Sequence, residues 1–125
     1  MHFKRTTTLN LRTETFTSSY EVEYPNVGKQ FDIEMMKVKL SEGRYETLKL
    51  SYLPTFVQQA KVIDVVATFT ILIPNLKADL TVKSLFDLNQ VQFDALIKMY
   101  EDEFLPWYTE IETQLKAPLN SPQTP

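Results

Sequence analysis

A chain of 125 residues that is 43% apolar and 23% charged, with two glycines and no cysteine, has the size and composition of one folded globular domain. The missing cysteines exclude a disulfide framework and any thiolate metal site. The formal charge of −3 is uneven: residues 1–86 carry 11 Lys or Arg against 9 Asp or Glu, a net +2, and residues 87–116 carry 2 against 7, a net −5.

Residues 3–11 alternate through Phe3, Arg5, Thr7, Leu9 and Leu11. Residues 16–24 place Phe16, Tyr20, Val22 and Tyr24 on one face and Glu21 and Glu23 on the other. Threonine, valine and aromatics at period two predict two strands with one wet face, a β-hairpin over 1–24. The linking "RTET" has none of the Asn-Gly chemistry of a tight turn. Two strands alone are marginal, so the hairpin must pack on the rest of the chain or join a sheet edge in another chain.

"YPNVGKQ" (24–30) reads as a turn. Beyond it Ile33, Met36 and Leu40 fall at i, i+3, i+7, with Lys37 and Lys39 facing outward. This predicts a short helix that stops at Gly43. Residues 44–52 fit no period. Pro54 to Pro74 enclose a stretch free of glycine and internal proline, with the apolar run Val62–Ile73 inside it. That run alternates as a buried strand would. A strand over all of 54–73 would be ~66 Å long, whereas one helix would span ~30 Å, so a single helix is favoured over a helix followed by a strand. It is apolar nearly all round and belongs at the centre of the core.

A helical turn is predicted near 81–87. Asn89 with Gln92 then forms a capping-box start to the last helical region. Phe93, Ile97, Tyr100, Phe104, Trp107 with Tyr108, Ile111 and Leu115 keep helical phase through Pro106. "EDEFLPWYTE" (101–110) therefore reads as a proline hinge or kink, with Glu101, Asp102 and Glu103 favouring or capping the start of the second segment. The aromatics continue the core face, with Phe104, Trp107 and Tyr108 the candidate protein-binding residues. "KAPLNSPQTP" lacks a helical period, and residues 117–125 are expected to form a disordered proline-rich tail. The fold expected is α+β and mainly helical: an N-terminal β-hairpin on a small bundle of three to five helices, in a single domain over 1–116.

The function classes shrink by elimination. The only histidine is His2, so Ser–His and Cys–His nucleophiles and histidine metal sites have no material. No phosphate-cradling glycine loop and no calcium loop is present. Glu101/Glu103 and Glu110/Glu112 are spaced to diverge on a helix, as solvated residues do. Asp64, inside the most apolar segment, is the one acid that stands out: a hydrogen-bonded structural Asp, or one on the helix's outer edge, is favoured over a buried carboxylate with a shifted pKa. No enzyme activity and no cofactor is expected. The strongest basic group, Lys4, Arg5 and Arg12, is too small a footprint for nucleic acid. The 12-residue apolar run is too short to cross a bilayer, and the N-terminus has no apolar signal core, so no membrane association is expected.

"IDVVATFTILIPNL" followed by "LTVKSLFDLNQVQFDALIKMYEDEFLPWYTEI" resembles small bacteriophage tail assembly chaperones. In those proteins an apolar helix ends in a proline and a Leu-Thr…Leu-Asp-Leu linker precedes a helix of Leu-Ile…Tyr-Glu character. The likeness covers residues 62–111 and carries no catalytic or contact motif. It implies a non-enzymatic phage assembly or structural protein, tail-associated, that binds and shields an apolar or helical partner. Its partners would be other phage proteins, with a homo-oligomer as a further option, in the host cytoplasm during assembly or in the virion. The alternative is a small phage regulator or inhibitor that binds a host protein.

Overall fold

The computed structural model describes residues 5–120, with side chains through residue 116. The chain takes the expected α+β, mainly helical form: one antiparallel hairpin followed by helices. Strands β1 (Thr6–Arg12) and β2 (Thr17–Glu23) pair in the register Leu9↔Tyr20 and Leu11↔Ser18. Their turn closes through the Thr13 amide, which donates to the Phe16 carbonyl at 2.7 Å. Leu9, Leu11 and Val22 share one face and are buried, while the glutamates of β2 face out. The hairpin lies on the helices, and residues 1–4 of the segment expected to form it are outside the described residues.

Helix α1 (Val27–Ser41) starts inside the segment read from sequence as a turn. Asn26 has extended backbone, and its side chain accepts from the Lys29 amide at 2.9 Å, which makes it an N-cap. The C-terminus closes as expected at Gly43. Glu42 and Gly43 both adopt left-handed backbone (φ 54° and 79°), and the Gly43 amide reaches back to the Val38 carbonyl. Helix α2 (Tyr45–Lys49) resolves the stretch that showed no period.

Helix α3 (Pro54–Leu72) is one helix, with Pro54 in its first turn. β-Branched residues cost little here because most of them are packed against the rest of the fold: Ile63, Val65, Val66 and Thr68 are all buried. By length and mean hydropathy the helix meets the test for a membrane span, yet those buried side chains make it the core helix of this fold. It packs against α1, α2 and the helices that follow.

Helix α4 (Leu76–Asp79) ends at Thr81 in left-handed backbone (φ 58°). The predicted turn near 81–87 is thus split between α4, which lies earlier, and a 3-10 turn over Leu85–Asp87. Helix α5 (Gln90–Met99) begins with the complete capping box: Asn89 accepts from the Gln92 amide at 2.8 Å, and Gln92 accepts from the Asn89 amide at 3.2 Å. A π-helical turn (Tyr100–Phe104) joins it to α6 (Leu105–Asn120), so the helix runs on with no hinge. Residues 117–120 continue α6 and are not a disordered tail. Ala117 extends a helix readily, and Pro118 costs one hydrogen bond near an end where bonds are already few. The rest of the expected tail, 121–125, lies outside the described residues.

One core joins these elements, from Leu9 and Val22 in the hairpin through α3 to Leu96, Met99 and Phe104. A smaller cluster of Tyr45, Leu48, Ala60 and Ile63 sits between α2 and α3.

Candidate protein-binding surfaces

The π turn follows from Pro106. In a regular helix its ring would press on the carbonyl of residue 102, and it has no amide to donate there. Widening the preceding turn by one residue lets the helix pass this point, and the Leu105 amide donates to the Tyr100 carbonyl. The three acids do not cap the turn with their side chains. Glu103 accepts from the Asn10 amide at 2.8 Å and from the Asn10 side chain at 3.3 Å, and Glu101 pairs with Lys61. Two of the three carboxylates read as a helix start, Glu103 and Glu101, are thus ties from the turn to β1 and α3, while Asp102 is exposed.

The aromatic rings form a ladder. Tyr100 stacks on Phe104 (5.4 Å, 21°), Phe104 on Tyr108 (5.2 Å, 24°), and Tyr108 on Tyr24 (5.0 Å, 19°). Phe69 of α3 meets Tyr100 and Phe104 edge-on, and Trp107 meets Phe104 and Tyr24 in the same way. Of the three candidate contact residues, Phe104 is buried, and Trp107 and Tyr108 are half-buried with their rings engaged inside the chain. The structure brings all three together, with Tyr24 as a fourth member that sequence spacing did not associate with them.

The exposed edge of this ladder borders a cleft of about 330 Å³ against α1, lined by Gln30, Glu34, Lys37, Thr68, Tyr100 and Tyr108 among others. Lys37, read from sequence as outward-facing, turns into it. Its ammonium lies 2.8 Å from Glu34 and 3.2 Å from Asp64, and 5.2 Å from the centre of the Tyr45 ring. Burial disfavours that charge, but the Glu34 hydrogen bond and the Asp64 carboxylate outweigh it and raise the lysine pKa. Asp64 is the hydrogen-bonded structural acid its position suggested, accepting from the Tyr45 hydroxyl at 2.5 Å. Burial, then the Asp64 charge, pushes the Tyr100 hydroxyl up to about 12. Burial, then Tyr24, raises that of Tyr108 as well. With Lys37 charged, one oxygen of Asp64 held by both Tyr45 and Lys37, and the phenols held neutral, these groups are partnered within the chain. Among the described residues no three His, Asp or Glu side chains converge as metal ligands.

Two apolar surfaces that sequence reasoning missed are exposed. At the corner where α2 turns into α3, Leu50, Tyr52, Leu53, Phe56 and Val57 all face solvent, with Tyr52 93% and Leu50 78% exposed. The first turns of α3 stand clear of the core, which begins at Ala60. Along α1, Val27, Phe31, Met35 and Val38 form a second exposed set, opposite the Ile33, Met36 and Leu40 face that meets the core. The signal for this set was available as a second stripe at i, i+4, i+8, i+11 in the same helix.

Comparison with protein-family models, with curated proteins and with solved structures finds no significant match for this chain.

Proposed function

We propose that this protein works by protein–protein contact, as a non-enzymatic assembly factor of a phage tail, and that the α2–α3 corner is its docking surface. The observation that carries the reading is the set of five large apolar side chains exposed within residues 50–57. Single exposed apolar residues are ordinary, but a cluster of this kind marks an interaction site. Tyr52 and Phe56 supply large, stiff contact area of the sort that anchors an interface. The occupant is an apolar helical segment of a tail component, shielded until it is built in, which is the role implied by the resemblance over residues 62–111.

The reading is tested by affinity capture from cells that are assembling the particle, with the native chain and with a Tyr52→Ser/Phe56→Ser variant. Capture of tail components by the native chain, lost in a variant with an unchanged melt, supports it. Capture of a host protein instead supports the regulator alternative, and equal capture by both forms removes the corner from the account.

A further inference from the structure

Helix α1 has two apolar faces, and only one is used within the chain. Ile33, Met36 and Leu40 meet the core, while Val27, Phe31, Met35 and Val38 lie on the opposite side, with exposures from 50% at Val38 to 81% at Val27. A contiguous set of exposed apolar side chains such as this marks a contact surface. The flank of the outer stripe indicates what covers it. Asp32 and Lys39, seven residues apart, sit on the same edge of the stripe, both exposed, and among the described residues neither has an ion-pair partner. On the other edge, Glu34 is already held by Lys37.

We propose that the C-terminal half of this outer face, centred on Met35 and Val38, is covered by the same segment of a second copy, in an antiparallel two-fold pair. With the axis crossing between Met35 and Val38, Met35 of each copy packs on Val38 of the other, and Asp32 of each comes beside Lys39 of the other. A surface that carries an acid and a base seven residues apart on one edge is self-complementary when it is reversed on itself, as a two-fold interface requires. The stripe from Val27 to Val38 is only ~17 Å long. It is therefore smaller than a standard interface of ~800 Å² a side, and the pair is a weak, exchanging dimer.

The test is sedimentation equilibrium on the purified full chain up to about 1 mM, where weak association is populated. The native chain should dimerise, and Met35→Lys should be monomeric. Asp32→Lys and Lys39→Asp should each weaken the dimer at least tenfold, because each places like charges together twice. An equimolar mixture of these two charge variants should dimerise again, because every facing pair is then opposite in sign. Circular dichroism should show all variants as helical as the native chain. A native chain that stays monomeric overturns the proposal, as does a dimer indifferent to these substitutions. Charge variants that weaken the dimer but fail to rescue one another overturn the antiparallel arrangement. Because only the free chain is used, none of these outcomes bears on tail-component capture.

Discussion

Glu103 accepts a hydrogen bond from the backbone amide of Asn10 across 93 residues of sequence, at 2.8 Å. The bond ties the π turn of the last helix to β1, and it occupies an amide on the strand's outer edge that would otherwise be open to another chain. The widened turn brings Glu103 to the strand. Glu103→Ala should therefore cost about 1–2 kcal/mol, the penalty of a part-buried donor left without its partner. Glu103→Gln, which keeps the acceptor oxygen, should lose less, as denaturant melts of both variants will check.

Thr81 is a β-branched residue in left-handed backbone, where its side chain crowds the following carbonyl. The amide of Val82 donates to the Lys77 carbonyl at 2.9 Å, which fixes that geometry as the closing turn of α4. Thr81→Gly relieves the crowding and should stabilise the fold by about 1 kcal/mol, raising the melting temperature by roughly 4 °C.

Alkaline stability should report on Tyr100. Its folded-state pKa of about 12 lies above the ordinary value of 10.0 because burial and then Asp64 oppose the phenolate. A group whose folded pKa is raised contributes its full stabilisation below the unfolded pKa and loses it as pH rises through the folded value. The native chain should thus weaken between pH 10 and 12, by roughly 2 kcal/mol from this residue. Tyr100→Phe should flatten that part of the curve, measured by urea melts across the range. An unchanged slope would separate Tyr100 from the alkaline transition.

Trp107 is half-buried, in edge contact with Phe104 and Tyr24. Trp107→Ala should cost about 3 kcal/mol, at the lower end of aromatic truncations because part of the ring already faces water. A thermal melt of the free protein checks it. An unchanged melt would move the aromatic group from the core to an interface.

Much of this fold was legible because local chemistry and tertiary packing agree. Asn89 and Gln92 wrote a capping box, Gly43 ended α1, and the 54–73 run became one helix because the fold packs against most of its β-branched side chains. The misreadings arise where one residue type serves two purposes. Asn26, next to Pro25 and Gly28, resembles a turn residue, but its side chain caps a helix. Pro106 signals a break, yet the extra residue of the π turn absorbs it, and the same shift of phase puts Leu96 and Met99, not Phe93 and Ile97, at the centre of the core face. The aromatic group was visible as a set, but its partner Tyr24 was not, because a contact across more than 80 residues leaves no trace in spacing. The exposed corner was hidden for a simpler reason: Leu50, Tyr52 and Leu53 look like core residues until the core is seen to form without them.

The proposed docking surface is the exposed apolar corner and not the aromatic ladder. Hydrogen exchange on the purified chain, alone and in its captured complex with tail components, compares the two directly. Residues 50–57 should exchange quickly in the free chain and become protected in the complex, with 100–108 unchanged. Protection confined to 100–108, with the corner exchanging as fast as before, would contradict the account and return the binding site to Trp107 and Tyr108.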